Sequence, residues 1–421
     1  MGLLMTACGL DFGTSNSALG LMRGNAPVLA PVEGDNTLIP SAIFFDFENR
    51  GRVIFGRDAI DTYIGEHDGR LMRALKTILG SPLIDEATAV GSRRIKLTEV
   101  VEIFIRHLKE RGEAFAGQEI TQVVQGRPVH FVDGDEAADT RAQNVLNDIA
   151  HRVGFRDVLF EYEPIAAAFH YEETVSREEL VLVADIGGGT SDFTVIRVGP
   201  ERRGHIERRE DILANTGARI GGTDFDTRLN LDAVMPLLGL GTQLKTKDLP
   251  MPKAIYYELA TWATINFAYN YKTEREVREL LAQSCEPDRV GRLLKTIRRH
   301  LGHRIAFTVE DAKIALSENE TVALPLEFLE AGLTTESSQA RFSAAIADKS
   351  DALTRIAAHC IAKAGITSGD IQTIFFTGGS SRVPTVRDAI RKAAPEAAVA
   401  VGSDFLSVAL GLTLEAQRRF A

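Results

Sequence analysis

The chain has 421 residues, of which 44% are hydrophobic and 25% are charged, and its formal net charge is −10. This length exceeds what a single hydrophobic core usually organises, so two or more domains or lobes are expected. The composition excludes a mainly disordered chain. The negative charge disfavours nucleic acid or a membrane surface as the partner.

Cysteine spacing and hydropathy indicate the cellular compartment of the protein. Cys8, Cys285 and Cys360 are far apart and form no CxxC pair, which argues against a disulfide framework or a cysteine zinc site. No apolar run approaches the roughly 18 residues of a membrane span. The short apolar N-terminus lacks the charged region of a signal peptide. These features predict a protein of the reducing cytoplasm.

A motif near the N-terminus occurs again in the middle of the chain. Residues 10–17 read LDFGTSNS, and residues 184–192 read ADIGGGTSD. Each copy lies between two apolar runs, which predicts a strand, a tight Gly/Thr/Ser turn and a second strand. Asp11 and Asp185 are 174 residues apart, far beyond the period of a solenoid repeat. The repeat therefore predicts two similar lobes, each with a β-hairpin.

Apolar periodicity predicts the elements around these hairpins. Helical spacing occurs in four segments, namely 97–111, 135–153, 163–171 and 384–394. Strands are predicted at 120–132, which ends in a turn at Pro128, and at 371–376. The second of these strands runs into a further Gly-rich turn, TGGSSR, and then into a helix.

Two segments of the second half are rich in aromatic or basic residues. Residues 255–271 include the only tryptophan, Trp262, and are predicted to form a buried helix. Residues 290–305 have an apolar helical stripe, with His300 and His303 beside arginines. No further His, Cys or carboxylate there has the spacing of a zinc site. The basic side is therefore predicted to be a solvated surface, with a partner-binding face as the alternative.

The hairpin turns have the residue types that a polyphosphate needs. Glycines let backbone N–H groups approach an anion, and hydroxyl groups add further donors. The residues concerned are Gly13, Thr14 and Ser15 in the first turn and Gly187, Gly188, Gly189, Thr190 and Ser191 in the second. Asp11 and Asp185 at the strand ends would repel phosphates unless Mg²⁺ lay between them. The pattern predicts a magnesium–nucleotide cleft between two lobes.

Other common nucleotide and catalytic motifs do not fit the sequence. There is no GxxxxGK[ST] loop, no complete GxGxxG motif in a βαβ unit and no GxSxG elbow. A P-loop enzyme, a dinucleotide fold and an α/β-hydrolase are therefore disfavoured.

The ordered set of motifs resembles the nucleotide-binding domain of the seventy-kilodalton heat-shock chaperones, the DnaK family, within the actin/hexokinase superfamily of ATPases. The similarity covers nearly the whole chain. The segments that carry it are residues 10–17, 38–41, 74–80, 126–131, 161–168, 185–192, 221–226 and 378–384. The resemblance implies an α/β, two-lobed actin-like ATPase fold, with duplicated ribonuclease-H-like lobes that each carry a subdomain insertion.

The resemblance also divides the chain. Lobe I would comprise residues 1–176 and 403–421, and lobe II residues 177–402. Asp226 and Glu310 are 84 residues apart, which is longer than in the family, so an enlarged helical subdomain is expected at about 227–310. The chain ends after the last helix expected of this domain, without a peptide-binding domain, so capture of unfolded peptides is not expected.

Site residues follow from the resemblance by position. Asp11, Asp185 and Asp192 would surround Mg²⁺, and the catalytic residues would be Lys76, Glu163, Asp185 and Thr190. The nucleotide-binding residues would be Gly13, Thr14, Ser15, Gly187, Gly188, Gly189, Thr190, Gly221, Gly222, Glu310, Lys313, Ser317, Gly378, Gly379, Ser380 and Arg382. Ile314 stands where the family usually places an arginine against adenine, which predicts a looser base preference.

The function implied is Mg²⁺-dependent ATP binding and slow hydrolysis that drives lobe closure. The expected ligands are ATP or ADP and Mg²⁺, with K⁺ as a further candidate cation, and the protein partner or client is left open. The alternatives are a nucleotide-binding regulator or assembly factor with negligible turnover, a small-molecule kinase of the same superfamily, and a filament-forming actin relative.

Overall fold

Two large β-sheets organise the chain in this computed structural model. The described residues are 4–49, 51–65, 67–79, 82–91, 93–132, 135–172, 174–205, 207–246, 249–402 and 406–420. We use lobe I for the part built on the first sheet and lobe II for the part built on the second. Of the predicted lobe I, residues 1–3, 403–405 and 421 lie outside the described residues, as does Gly80 of the motif at 74–80. The lobe boundaries at 176/177 and 402/403 stay predictions.

Lobe I contains strands β1 to β11 and helices α1 to α4. The strands are β1 (Leu4–Phe12), β2 (Asn16–Arg23), β3 (Ala26–Leu29), β4 (Ile39–Pro40), β5 (Ala42–Asp46), β6 (Arg52–Phe55), β7 (Gly69–Arg73), β8 (Ala87–Val90), β9 (Arg93–Lys96), β10 (Gln122–Arg127) and β11 (Asp157–Tyr162). The helices are α1 (Gly56–Ile64), α2 (Leu97–Ala116), α3 (Glu136–Arg152) and α4 (Glu163–Glu172), with 3-10 turns at Leu75–Ile78 and Pro82–Asp85.

Lobe II contains strands β12 to β18 and helices α5 to α12. The strands are β12 (Glu179–Ile186), β13 (Ser191–Val198), β14 (Ile212–Ala218), β15 (Thr321–Pro325), β16 (Thr334–Ser338), β17 (Thr373–Thr377) and β18 (Ala398–Val401). The helices are α5 (Gly222–Ala233), α6 (Ala254–Ala260), α7 (Tyr271–Gln283), α8 (Pro287–Arg298), α9 (Gly302–Leu316), α10 (Gln339–Ala345), α11 (Ala347–Lys363) and α12 (Pro384–Arg391). The 3-10 turns are Arg209–Asp211, Met235–Leu238, Trp262–Ala268, Ser368–Asp370 and Gly379–Arg382. The last helix, α13 (Ser407–Phe420), returns to lobe I.

The two large sheets have the same topology. The first has the order β11-β10-β1-β2-β3 and the second β18-β17-β12-β13-β14. In each, the hairpin strands and the third strand are antiparallel, and the next two strands are parallel to the first hairpin strand. Lobe I carries an inserted sheet, β6-β5-β7, and lobe II carries helices α6 to α8 between α5 and α9. The predicted α/β fold of two duplicated lobes is confirmed.

Helices α4 and α13 pack between the two sheets. Buried residues from both sheets and from α13 form one hydrophobic cluster, which includes Val124 of β10, Val183 of β12 and Leu412 of α13. The helices cross closely, because a Cβ at Gly411 would overlap the carbonyl oxygen of Ala166 in α4. This cluster joins the lobes at their base.

Helix α2 shows how the local sequence sets an element's bounds. The carboxylate of Glu99 accepts a hydrogen bond from the backbone N–H of Lys96 at 2.9 Å, which caps the first turn. The apolar positions predicted from periodicity, such as Val100 and Phe104, are fully buried against the first sheet's core. The helix ends at Gly117, whose φ of 70° suits glycine.

The predicted buried helix at 255–271 is wrong as a single element. Helix α6 ends before Thr261, whose backbone is extended, and a 3-10 turn follows at Trp262–Ala268. Asn270 then caps α7 by accepting a hydrogen bond from the N–H of Thr273 at 2.9 Å. Phe267 is 70% exposed, so only part of this aromatic segment is buried.

The predicted solvated basic face at 290–305 is also wrong in part. Helix α8 ends at Arg298, His300 adopts a left-handed backbone with φ of 53°, and α9 begins at Gly302. His303 is only 4% exposed. Tyr269 contributes to the break between the helices, because its ring stacks on His300 and its hydroxyl accepts a hydrogen bond from the N–H of Gly302 at 2.8 Å.

The three cysteines are free thiols. Among the described residues, the structure contains no helix with the length and apolar character needed to cross a bilayer.

Candidate functional site

The two hairpin turns meet between the lobes. Residues 13–15 connect β1 to β2, and residues 187–190 connect β12 to β13. The backbone of Gly188 lies so close to Ser15 that a Cβ at Gly188 would overlap the Ser15 hydroxyl oxygen. Glycine at position 188 therefore permits the approach of the two turns that a shared phosphate site requires.

Ser41 holds the first turn in its shape. Its hydroxyl donates a hydrogen bond to the carbonyl oxygen of Gly13 at 2.7 Å, and its N–H donates to the carbonyl oxygen of Ser15 at 2.8 Å. The same hydroxyl lies 2.9 Å from that of Ser17. Thr14 lies within this turn and is half-buried.

The second turn is held by neighbouring segments of lobe II. The carbonyl oxygen of Gly187 accepts hydrogen bonds from the N–H of Gly222 and the hydroxyl of Ser380, both at 3.0 Å. The N–H of Thr223 donates to the carbonyl oxygen of Gly188 at 2.7 Å. Thr190 and Gly189 complete the turn, and the side chain of Thr190 is exposed. The start of α5 and the loop after β17 thus hold the second turn in position.

A cluster of charged residues lies beside these turns. Lys76 and Glu163 form an ion pair, and the Lys76 side chain is only 9% exposed. Asp11 is the second-last residue of β1 and Asp185 is the second-last residue of β12, and the charges of both act on Lys76. Lys76 lies in a 3-10 turn after Ala74, whose backbone is left-handed with φ of 54°. This strained turn carries Lys76 into the cluster.

Burial and like charges shift the pKa values in this cluster. Burial raises the pKa of Asp185 to about 6, and the charge of Glu163 adds to the effect. The pKa of Asp11 is raised by burial and by the charges of Glu163 and Asp185, against the opposing charge of Lys76. Burial alone would lower the pKa of Lys76, but Glu163 and Asp11 raise it above its usual value. The cluster therefore has three half-buried carboxyl groups and only one cation, Lys76, to balance them.

Asp192 lies on the same side of the second sheet as Asp185. The two residues are paired directly across β12 and β13, and opposed residues of antiparallel strands point to the same face. A small cavity opens beside them and is lined by Glu163 as well. Asp192 thus shares the cavity with two residues of the charged cluster.

The residues present fit a magnesium ion. Within the described ranges, no three His, Cys, Asp or Glu side chains are grouped as direct ligands of a metal. Asp11 and Asp185 are half-buried carboxylates with raised pKa values, and a cation beside them would relieve their repulsion. Carboxylate oxygens suit Mg²⁺, which usually keeps several waters in protein sites.

Helix α9 carries the residues predicted to contact the nucleoside. Lys313 Nζ donates to the carboxylate of Asp226 in α5 at 2.9 Å and lies 3.4 Å from the carbonyl oxygen of Gly222. Ser317 donates to the carbonyl oxygen of Lys313 at 3.4 Å. Glu310 points to lobe I, where its carboxylate pairs with Arg73 at 3.5 Å. Lys313 and Gly222 therefore lie together, whereas Glu310 is engaged between the lobes.

Gly221 and Ile314 lie near Lys313 on the same side of the site. Gly221 is the N-cap of α5 and lies against the second turn, since a Cβ there would be 2.7 Å from the backbone of Gly188 and Gly189. Ile314 follows Lys313 on α9 and is 58% exposed.

The loop after β17 packs against the charged cluster. Gly378 has a left-handed backbone with φ of 78°, and a Cβ there would be 2.5 Å from Oδ1 of Asp185. Gly379 begins a 3-10 turn that includes the buried Ser380 and ends at Arg382, which is exposed. The strand end, Gly-rich turn and helix that the sequence predicts here are confirmed.

Three residues with clear roles in this geometry were not predicted as site residues: Ser41, Asp226 and Arg73. Ser41 and Asp226 lie inside the motifs at 38–41 and 221–226, which could have suggested them, and serine near a turn is a frequent hydrogen-bond partner. Arg73 gives no such signal, since its partner Glu310 is more than 200 residues away in the sequence.

Comparison with known families agrees with these observations. The family whose sequence model matches is described as Hsp70 protein, and the match covers residues 80–235 and 294–417, well over half of the chain. The matched parts include Glu163, the second turn, Lys313 and the loop after β17. The first turn, Lys76 and the segment 236–293 lie outside them. With its duplicated sheets, its paired turns and this match, the chain belongs to the Hsp70 protein family and has a nucleotide-binding, chaperone-related function.

Proposed function

We propose that the protein binds ATP with Mg²⁺ between its lobes and hydrolyses it slowly, with lobe closure around the nucleotide. The observation that supports this most strongly is the cluster of the buried Lys76 with the half-buried Asp11, Glu163 and Asp185 beside the two turns. Charges that are shielded from water are costly, and here one lysine faces three carboxyl groups. Such an imbalance is typical of a site that receives charged ligands.

The turns would bind the phosphates through their backbone. Gly13 and Ser15 of the first turn and Gly188 and Thr190 of the second would present N–H and hydroxyl donors to phosphate oxygens. Because Ser41 already fixes the first turn, its donors need little reorganisation when the nucleotide arrives. On the nucleoside side, Lys313 and Ser380 would face the ribose.

Lys76 and Glu163 would act on the reacting groups. A water attacks the γ-phosphorus, the bond to the bridging oxygen breaks, and ADP, inorganic phosphate and one proton result. Lys76 would neutralise the charge of the γ-phosphate, and Glu163 would orient the water. Mg²⁺, held by Asp11, Asp185 and Asp192, would supply neutralisation of the remaining phosphate charge.

Single-turnover hydrolysis tests this proposal. We expect Lys76→Ala to lower the rate by roughly 10²–10³-fold, the usual cost of removing one group that stabilises the transition state. Lys272→Ala is the matched control, since that lysine side chain is 80% exposed on α7. Nucleotide affinity is measured in parallel by calorimetry. Equal rates in wild type and Lys76→Ala would contradict the enzymatic part, and no ATP binding by wild type would contradict the proposal as a whole.

A further inference from the structure

Arg73 joins the two lobes through an aromatic and acidic site. It ends β7 of lobe I, and its guanidinium carbon lies 4.7 Å from the centre of the Trp262 ring and 5.4 Å from that of Phe307, both in lobe II. Its Nη1 also lies 3.5 Å from a carboxylate oxygen of Glu310. The Arg73 side chain is 20% exposed, so these contacts are partly shielded from water.

A second contact between the lobes lies next to the first. The hydroxyl of Tyr63 in α1 is 2.9 Å from Nδ1 of His303 in α9, and the two rings meet edge to face. The Trp262 ring touches both sites, with its centre 4.6 Å from that of His303 and 5.1 Å from that of Phe307. Trp262 is therefore the central residue of one continuous contact.

Part of this contact comes from segments outside the family match. Trp262 belongs to the segment 236–293, which the family match leaves out, and Tyr63 and Arg73 precede its first matched residue. His303, Phe307 and Glu310 lie on the matched helix α9. The unmatched segment thus places an aromatic side chain where the inserted sheet of lobe I can reach it.

The contact lies at the nucleoside end of the proposed cleft. Glu310 and Lys313 are three residues apart on α9 and so share one side of the helix. Lys313 in turn lies beside Gly222 at the second turn. A nucleotide enclosed between the lobes would leave when they separate, and separation on this side requires Arg73 to leave Trp262 and Glu310.

We propose that Arg73, Trp262 and Glu310, supported by Tyr63 and His303, form a clasp that holds the lobes together and slows nucleotide release. The segment 236–293 supplies the clasp's central residue. The effect on release rests on the proposed function, but the existence of the clasp does not. Arg73 and Trp262 are positioning residues here, because they act through the lobes and not on the reacting atoms.

The single tryptophan gives a test that needs no nucleotide. All intrinsic tryptophan fluorescence comes from Trp262. In nucleotide-free protein we expect Arg73→Ala to raise the acrylamide quenching constant by about twofold, since the guanidinium no longer covers the ring. Arg70→Ala is the matched control, because Arg70 is exposed on the same strand. Tyr63→Phe, which removes only the hydroxyl, should give a smaller increase. Unchanged quenching in Arg73→Ala would overturn the proposal.

Release of a fluorescent ADP analogue, chased with unlabelled ADP, tests the effect on the site. We expect dissociation to be about 10-fold faster in Arg73→Ala, intermediate in Arg73→Lys and unchanged in Arg70→Ala. Stronger quenching with unchanged release would overturn the role in release. If wild type binds no nucleotide, the proposed function fails and the role in release fails with it. Quenching would then still decide whether the clasp exists.

Discussion

Arg208 joins the lobes at their base, and its removal should be costly. Its guanidinium donates to both carboxylate oxygens of Glu172 at 2.8 and 3.0 Å, and it also pairs with Asp211. Glu172 ends α4 of lobe I, whereas Arg208 and Asp211 precede β14 of lobe II. All three side chains are at most 3% exposed. The network is therefore a buried bidentate ion pair between lobes.

The magnitude follows from what Arg208→Met leaves behind. Asp211 keeps an ion pair with Arg202 at 2.5 Å, and Glu172 keeps the hydrogen bond that it accepts from the N–H of Gly199 at 3.0 Å. Breaking a buried pair by removing one partner costs about 3–5 kcal/mol, because a buried charge is left uncompensated. We expect a loss near the lower end, about 3 kcal/mol, since the hydrogen bond from Gly199 to Glu172 remains.

Urea unfolding followed by circular dichroism and by Trp262 fluorescence measures this loss. Two probes are needed because a two-lobed chain can unfold in more than one step. Arg209→Met is the matched control, since Arg209 is the exposed neighbour in the sequence. The double variant Arg208→Met/Glu172→Gln should regain at least about 1 kcal/mol over Arg208→Met, as the buried charge is gone. A loss below about 1 kcal/mol, or no coupling between the two sites, would refute this reasoning.

Three further predictions follow from burial and close contacts. Burial raises the pKa of Glu161 from 4.5 to about 7, so the ionised form is disfavoured in the folded state and stability should fall by about 3 kcal/mol as pH rises through this window. Glu161→Gln should make that fall about 3 kcal/mol smaller than in wild type in urea unfolding measured from pH 4.5 to 8, where Asp185 also titrates, and a fall equal to that of wild type would contradict the assignment. Gly221→Ala should weaken ATP binding about 10-fold or more in calorimetry, because its Cβ displaces the second turn, and wild-type affinity would count against that turn as the phosphate site. Gly411→Ala should destabilise the α4–α13 crossing by about 1–3 kcal/mol. In contrast, Gly291→Ala on α8 has open space around its Cβ and should be neutral or stabilising. If Gly411→Ala and Gly291→Ala changed the free energy of unfolding equally, the close crossing of α4 and α13 would be disproved.

Local patterns were enough to predict the parts of the site that are close in sequence. Each hairpin has its strands, its turn and its aspartate within one short segment, so local sequence alone places Asp11 and Asp185 at strand ends. The repeat of that segment also predicted the duplication, which the matching strand orders confirm. The roles of Thr190, Arg382 and the other site residues stay predictions.

The incorrect predictions concern residues whose burial depends on distant partners. Periodicity marks His303 as one of several basic residues on a helix, but Tyr63 approaches it from the other lobe, 240 residues earlier. The place of Glu310 beside the nucleoside stays a prediction, but its contact with Arg73 was not predicted, because no local feature indicates it. Helical spacing alone also continues through Thr261 and His300, where the backbone leaves the helix. At His300 the ring of Tyr269, from a distant part of the sequence, stacks on the imidazole.

The two sets of contacts between the lobes differ in strength, and the difference indicates where the molecule opens. At the base, Arg208 and Glu172 are almost completely buried, and Arg418 of α13 also donates to the carbonyl oxygen of His205 at 2.6 Å. At the clasp, Arg73 and Glu310 remain 20% and 32% exposed, so water can replace their contacts at lower cost. Breaking the base would cost about 3–5 kcal/mol for one ion-pair partner, against about 1–2 kcal/mol for a partly exposed cation–π contact. Separation of the lobes should therefore begin at the clasp, with the base as the pivot.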